Sequence, residues 1–209
     1  MFGTVLLLLL SPWSLAQTRV ISGTVVDAQG NPHPTASVSA WPVITGNSAG
    51  DVHWVNADKD GHFHLNVFPG RYLLRAKDTA ALYPDPSFAL CRDPAARFPT
   101  VTIRKSDLDG AVVKLGHRGA LLKIAISPVR GGTIPKVDIR IRDAHHRMRY
   151  VQFTTDAAGR AEFVVPSRPL LIEFGLPGVS EPPLDSKPLI LQEGQTFTLQ
   201  FHLMNPDVR

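Results

Sequence analysis

The 209-residue chain is 44% hydrophobic and 19% charged, which excludes an extended disordered protein. Its 18 prolines and 16 glycines follow no collagen-like period, and no helix-forming stretch keeps a 3.6-residue repeat for three turns, so many short strands are expected. The formal net charge of +4 is a weak field, compatible with an acidic polysaccharide or a membrane surface but specifying neither.

Val5 to Leu10 form an unbroken apolar run, and Ser14-Leu15-Ala16 then places small residues where a signal peptidase cleaves. The pattern predicts a leader over residues 1–16 and a mature chain beginning at Gln17, periplasmic or secreted. The run is too short to span a bilayer, so no transmembrane segment is expected after cleavage, and no Cys follows to carry a lipid anchor. Cys91 is the single cysteine, so the fold must be held by its cores rather than by an internal disulfide.

From Val20 to Val26 the chain is rich in β-branched residues, which suits a half-buried pleat, and Asp27 to Gly30 close this strand with a turn. Gly30-Asn31-Pro32 leads to alternating Ala36, Val38 and Ala40, and Asp58-Lys59-Asp60-Gly61 leads to Phe63, Leu65 and Val67. Residues 78–99 carry four prolines and no strand pattern; a loop this long is a packed connector or a ligand-contacting segment, with Tyr83, Phe88 and Cys91 as apolar anchors. Ala111, Val113 and Leu115 form the next alternating run.

The plan then recurs. Gly132 to Pro135 lead to Val137, Ile139 and Ile141; Asp156-Ala157-Ala158-Gly159 leads to Ala161, Phe163 and Val165; Leu199, Phe201 and Leu203 close the set. Asp-x-x-Gly falls at an offset of 98 residues in the two halves. Three matched strand-and-turn signals in one order predict an all-β chain of two tandem Ig-like or prealbumin-like sandwich modules, residues 17–116 and 117–209, joined near His117.

The segment from Ile21-Ser22-Gly23-Thr24 through Asn31-Pro32 resembles the opening strand and turn of carboxypeptidase regulatory-like domains. Asp58 to Tyr72, with Phe68-Pro69-Gly70-Arg71-Tyr72, resembles that family's middle hairpin. The second half is more degenerate: Arg118-Gly119-Ala120 stands where the strand around Gly23 is expected, and Ser167-Arg168 replaces the Pro-Gly. The family takes its name from the transthyretin-like module that follows the catalytic domain of some zinc carboxypeptidases. The resemblance implies a seven-stranded sandwich and no activity of its own.

Zinc-peptidase, nucleophile-elbow, phosphate-loop and dinucleotide motifs do not occur in the chain. His62 and His64 share the outer face of one strand, and a hairpin turning at Asp58 to Gly61 would bring His53 beside them. Such a face would suit a divalent metal or stand simply solvated. Arg140 and Arg142 alternate with Ile139 and Ile141 and so point outward, with Arg147 and Arg149 on the return strand. The group would grip acidic groups or only guard a sheet against edge pairing. Trp41 and Trp54 are either sugar-stacking platforms or packing residues, and Tyr83 of the long loop is a further binding candidate. Tyr150 is the lone aromatic near the arginines, which speaks against single-stranded nucleic acid. The reading is an exported, non-catalytic accessory protein that needs no cofactor, its partner a polysaccharide or another cell-envelope protein. A carbohydrate-binding module of the carbohydrate-binding-like fold is the alternative.

Overall fold

A computed structural model describes residues 17–43, 54–92, 98–128, 136–175 and 188–203. The expected leader and His53 lie outside the described residues. The first half comprises β1 (Arg19–Val26), β2 (Ser37–Pro42), β3 (Trp54–Asn56), β4 (His62–Val67), β5 (Gly70–Lys77), a short helix α1 (Ser87–Arg92), β6 (Thr100–Ile103) and β7 (Leu108–Lys114). The second comprises β8 (Gly119–Pro128), β9 (Asp138–Asp143), β10 (His146–Thr154), β11 (Arg160–Pro166), β12 (Leu170–Gly175) and β13 (Thr196–Leu203).

Period-two burial makes these segments strands. In β4, Phe63, Leu65 and Val67 are buried while His62, His64 and Asn66 are exposed, so one face of the pleat enters a core. The sheets repeat as the sequence does. In the first half, β1 lies between antiparallel β4 and parallel β7, and β2 and β5 lie between β3 and β6. In the second, β8 lies between antiparallel β11 and parallel β13, and β9 between β10 and β12. Each pair of sheets closes on its own core, Ile21, Val25, Val38, Phe63 and Leu74 in one and Leu122, Ile139, Ile141, Phe163 and Ile172 in the other. The chain is thus two tandem β-sandwiches of one topology.

The repeat extends to single hydrogen bonds. Asp58 Oδ1 accepts from the amides of Asp60 and His62, and Asp156 Oδ1 accepts in the same way from Ala158 and Arg160. Gly61 and Gly159 take φ of 78° and 70°, the left-handed conformation these turns require. Val25 N–H donates to Gly61 O and Ile126 N–H to Gly159 O, both at 2.8 Å.

These paired bonds correct one expected correspondence. The residue two before Val25 is Gly23, so its counterpart in the second sandwich is Ile124, not Gly119. Gly23 is required where β1 shifts register against β7: a Cβ there would lie 1.9 Å from Ala111 O. The partnership of β8 with β13 runs in continuous register and accommodates Ile124.

The described first part of the long connector, residues 78–92, is packed. Asp78 pairs with Tyr83 in an isolated bridge, and its carboxylate accepts from Ala81 N–H, His33 and Thr35. Asp85 then caps α1, taking the Ser87 amide at 2.9 Å, with Pro86 in the first turn where its missing N–H is harmless. From α1 the Phe88 ring enters the core of the second sandwich, where only 3% of the residue remains exposed. Phe88 stacks on Phe153 at 6.2 Å, and Phe153 on Phe163 at 4.2 Å. Arg168 Nη2 donates to Phe88 O at 2.7 Å, Gly119 N–H to Leu82 O at 2.7 Å and Arg118 Nε to Ala81 O at 3.1 Å. Residues 78–92 therefore form a strap that leaves the first sandwich and fastens onto the second.

Candidate functional site

The structure offers four places, three of which hold candidate residues. His62 and His64 are exposed on β4, opposite Thr24 and Ser22 of β1. His62 Nδ1 lies 3.1 Å from Thr24 Oγ1. Among the described residues no group of three His, Cys, Asp or Glu side chains is placed to hold a metal ion. The alternation that put both imidazoles outward is correct, and each stands across from a hydroxyl residue of β1.

Trp41 and Trp54 sit on the outer face of the β3-β2-β5-β6 sheet, both half-buried. Register places Ser39 between Trp54 and Arg75 across three strands. The Arg75 guanidinium lies 4.0 Å from the Trp41 ring centroid and 5.9 Å from that of Trp54, and Lys77 Nζ lies 4.2 Å over Trp54. Cations thus stack on both tryptophans. Arg75 is 2% exposed and is closed by Asp85 Oδ1 at 2.6 Å and Ser87 Oγ at 2.7 Å. Burial lowers the Arg75 pKa, opposed by its Asp85 partner. Burial pushes the Asp85 carboxyl up, but the Ser87 amide and hydroxyl, with the charges of Arg75 and Lys77, outweigh it and hold the group below its ordinary value. Among the described residues neither Ser39 Oγ nor Arg75 Nε has a hydrogen-bond partner. Tyr83 stands apart, half-buried against the first core and edge-on to His33 at 5.2 Å.

Arg140 and Arg142 do leave the core side of β9, as their alternation predicts, but neither is fully exposed. Arg142 Nε donates to Glu173 Oε1 at 2.7 Å, and Glu173 itself is buried. Tyr150 lies 5.1 Å from Arg140 and 4.8 Å from Arg142, so the face is a tyrosine flanked by two guanidiniums and offset by one carboxylate. A register shift between His146 and Val151 interrupts the return strand. Arg149 is exposed there, and the Arg147 side chain lies outside the described residues.

The fourth place was not singled out by residue type. A cavity of about 370 Å³ opens where the strap, the linker and both sandwiches meet. Arg75 of β5 and Lys114 of β7 line it from the first sandwich, Asp85 and Phe88 from the strap, and Arg168 from the second. Leu74, Phe98 and His117 also line it. Arg168 is held by Asp143 at 3.0 Å. Burial raises the Asp143 pKa, but the His145 amide, His146 and Arg168 outweigh it and the net shift is downward. The sequence signals for this place were the long connector and the Ser167-Arg168 departure from the Pro-Gly of the first copy. Neither reveals a cavity without the docking of Phe88. A second cavity of about 400 Å³ lies at the end of the first sandwich, between Pro42, Leu65, Phe68 and Tyr72, and none of its described lining residues is charged.

Solved structures similar to the chain include the Bacillus anthracis TIE protein, at 16% identity and a TM-score of 0.37 over 90% of this chain and 34% of that one. The chain thus spans about a third of that protein's length. A streptococcal ancillary pilin matches at 13% identity and a TM-score of 0.33, over 90% of this chain and 63% of its own. The shaft pilin spaA of Lactobacillus rhamnosus GG matches at 10% and 0.35, over 89% and 98%. No curated protein matches the sequence. Residues 20–82, from β1 to the first turn of the strap, match the family model of the carboxypeptidase regulatory-like domain.

Proposed function

We propose that the protein is an exported, non-catalytic accessory protein with a binding or structural role, its two sandwiches divided at residues 116–117. One observation carries this reading: the conspicuous buried charges are closed on one another as structural pairs. Asp85 serves Arg75 and Lys77, Asp78 faces His33, Glu173 takes Arg142 and Asp143 takes Arg168. Such pairs hold a strap and a sheet face in place. The match of residues 20–82 to the regulatory-like domain supports the same reading.

Sugar stacking through Trp41 and Trp54 is less well supported, because Arg75 and Lys77 already stack on those rings. Sequencing the N-terminus of the protein recovered from the culture medium or the periplasm tests export, with Gln17 expected as the first residue. An intact Met1 on a cytoplasmic species would overturn it. Purified protein incubated with peptidase, esterase and glycosidase substrates is expected to show no turnover. Turnover abolished by a single substitution would make it an enzyme. Affinity electrophoresis through polysaccharide gels tests the carbohydrate alternative, and retardation lost in Trp41→Ala would establish it.

A further inference from the structure

We propose that the cavity at the junction of the two sandwiches is a binding site for a small organic carboxylate. The proposal deepens the reading of the protein as a non-catalytic binding protein and rests on it. At about 370 Å³ the cavity is of the size that small-ligand sites take, and it lies between modules, where such sites concentrate.

Its charge selects the ligand. Arg75, Lys114 and Arg168 line it; Arg75 is paired with Asp85 and Arg168 with Asp143, so the exposed Lys114 is the cation that meets an entering acid, and Asp85 is the one carboxylate among the described lining residues. That carboxylate is already spent: it accepts from Arg75 at 2.6 Å, from Lys77 at 3.2 Å and from the Ser87 amide at 2.9 Å. Arg75 is 2% exposed, and its Nε has no hydrogen-bond partner among the described residues. Lys114 and His117 are exposed, so an acid group reaching them keeps part of its hydration. The remaining wall is apolar. Leu74, Phe88 and Phe98 would receive a short hydrocarbon or ring, which makes an organic acid a better fit than inorganic phosphate.

The site is also set in advance. Its walls come from three separate parts of the chain, joined by Arg168 Nη2 to Phe88 O at 2.7 Å and by Gly119 N–H to Leu82 O at 2.7 Å. A ligand that enters has little ordering to impose, which favours affinity.

The test is a titration of the full-length protein with benzoate and hexanoate, followed by amide NMR shifts, with benzyl alcohol and hexanol as neutral controls. Both acids are expected to give saturable shifts confined to residues 74–76, 84–89, 98–99, 113–117 and 166–168. They should bind about tenfold or more tighter than the alcohols. Lys114→Glu is expected to weaken the acids by about fivefold or more, whereas His64→Ala, on an outer sheet face, leaves them unchanged. Lys114→Gln, with an intermediate loss, separates a charge effect from damage to the fold. The proposal is overturned if shifts do not saturate, if they map elsewhere, if the alcohols bind equally, or if Lys114→Glu binds like the parent. None of those results bears on export or on the lack of turnover, which are measured separately.

Discussion

Removing the Phe88 ring is expected to destabilise the second sandwich, although residue 88 lies in the first half of the chain. The ring is 3% exposed and stacks in series with Phe153 and Phe163, so Phe88→Ala opens a void that neither partner can fill without breaking a 4.2 Å stack. Phe-to-Ala changes in cores cost about 3–5 kcal/mol, and α1, a helix of only six residues, relaxes enough to place this one near the lower end, about 3 kcal/mol. For a sandwich of this size that is a fall in Tm of about 12 °C or more. The assay uses an asymmetry of the sequence. Trp41 and Trp54 both lie in the first sandwich and the second contains no Trp, so tryptophan fluorescence follows the first while far-UV circular dichroism follows both. In Phe88→Ala the dichroism should acquire an early transition and the fluorescence midpoint should move much less. The fragment 78–209 should likewise be more stable than 117–209, because it keeps the strap. Coincident, unshifted melts in the variant would refute the reasoning, as would a loss confined to fluorescence.

Three further outcomes are expected. Gly61→Val and Gly159→Val should each cost about 1–3 kcal/mol in their own sandwich, since both residues hold positive φ and a Cβ at Gly61 meets Val25 O at 3.1 Å; urea melts check this, with the exposed Lys59→Ala expected within about 0.5 kcal/mol of the parent. Gly23→Ala should cost more than about 2 kcal/mol, because its Cβ would meet backbone at 1.9 Å, whereas Ile124→Val at the matching position of the second sandwich should cost only about 1 kcal/mol. Asp85→Asn keeps the helix cap but strips Arg75 of its counter-charge, and about 2 kcal/mol should be lost at neutral pH. The sign follows from the depressed pKa: Asp85 stabilises fully above its unfolded value near 3.8 and loses that contribution as pH falls through the lower folded value. Melts of parent and variant should therefore converge in acid, and a gap that stays constant down to pH 2 would rule the ion pair out as the cause.

The placement of the candidate residues shows where local pattern stops being informative. That His62, His64, Arg140 and Arg142 leave the core side follows from alternation along a strand, and the structure agrees. What each meets outside is set by residues far away in sequence. Arg142 finds Glu173 31 residues on, and the tryptophan faces are taken by Arg75 and Lys77, which only the pairing of β2, β3 and β5 brings alongside. In one dimension a basic strand and two tryptophans leave binding and packing both open; in three, Arg142 meets Glu173 and the two tryptophan rings meet Arg75 and Lys77.

The sequence by itself determined the β-class, the two copies and their turns, because a two-residue period and an Asp-x-x-Gly turn are properties of a few adjacent residues and reappear 98 positions later. It did not determine that Gly23 answers to Ile124, since that depends on the register of parallel partners at the far end of each module. Nor did it determine the strap, in which Arg168 bonds to Phe88 across 80 residues. Burying Phe88 in the partner sandwich is favoured by apolar area alone, and the hydrophobic effect carries no direction. Only the assembled sheets decided which core would take the ring, and with it where the junction cavity would lie.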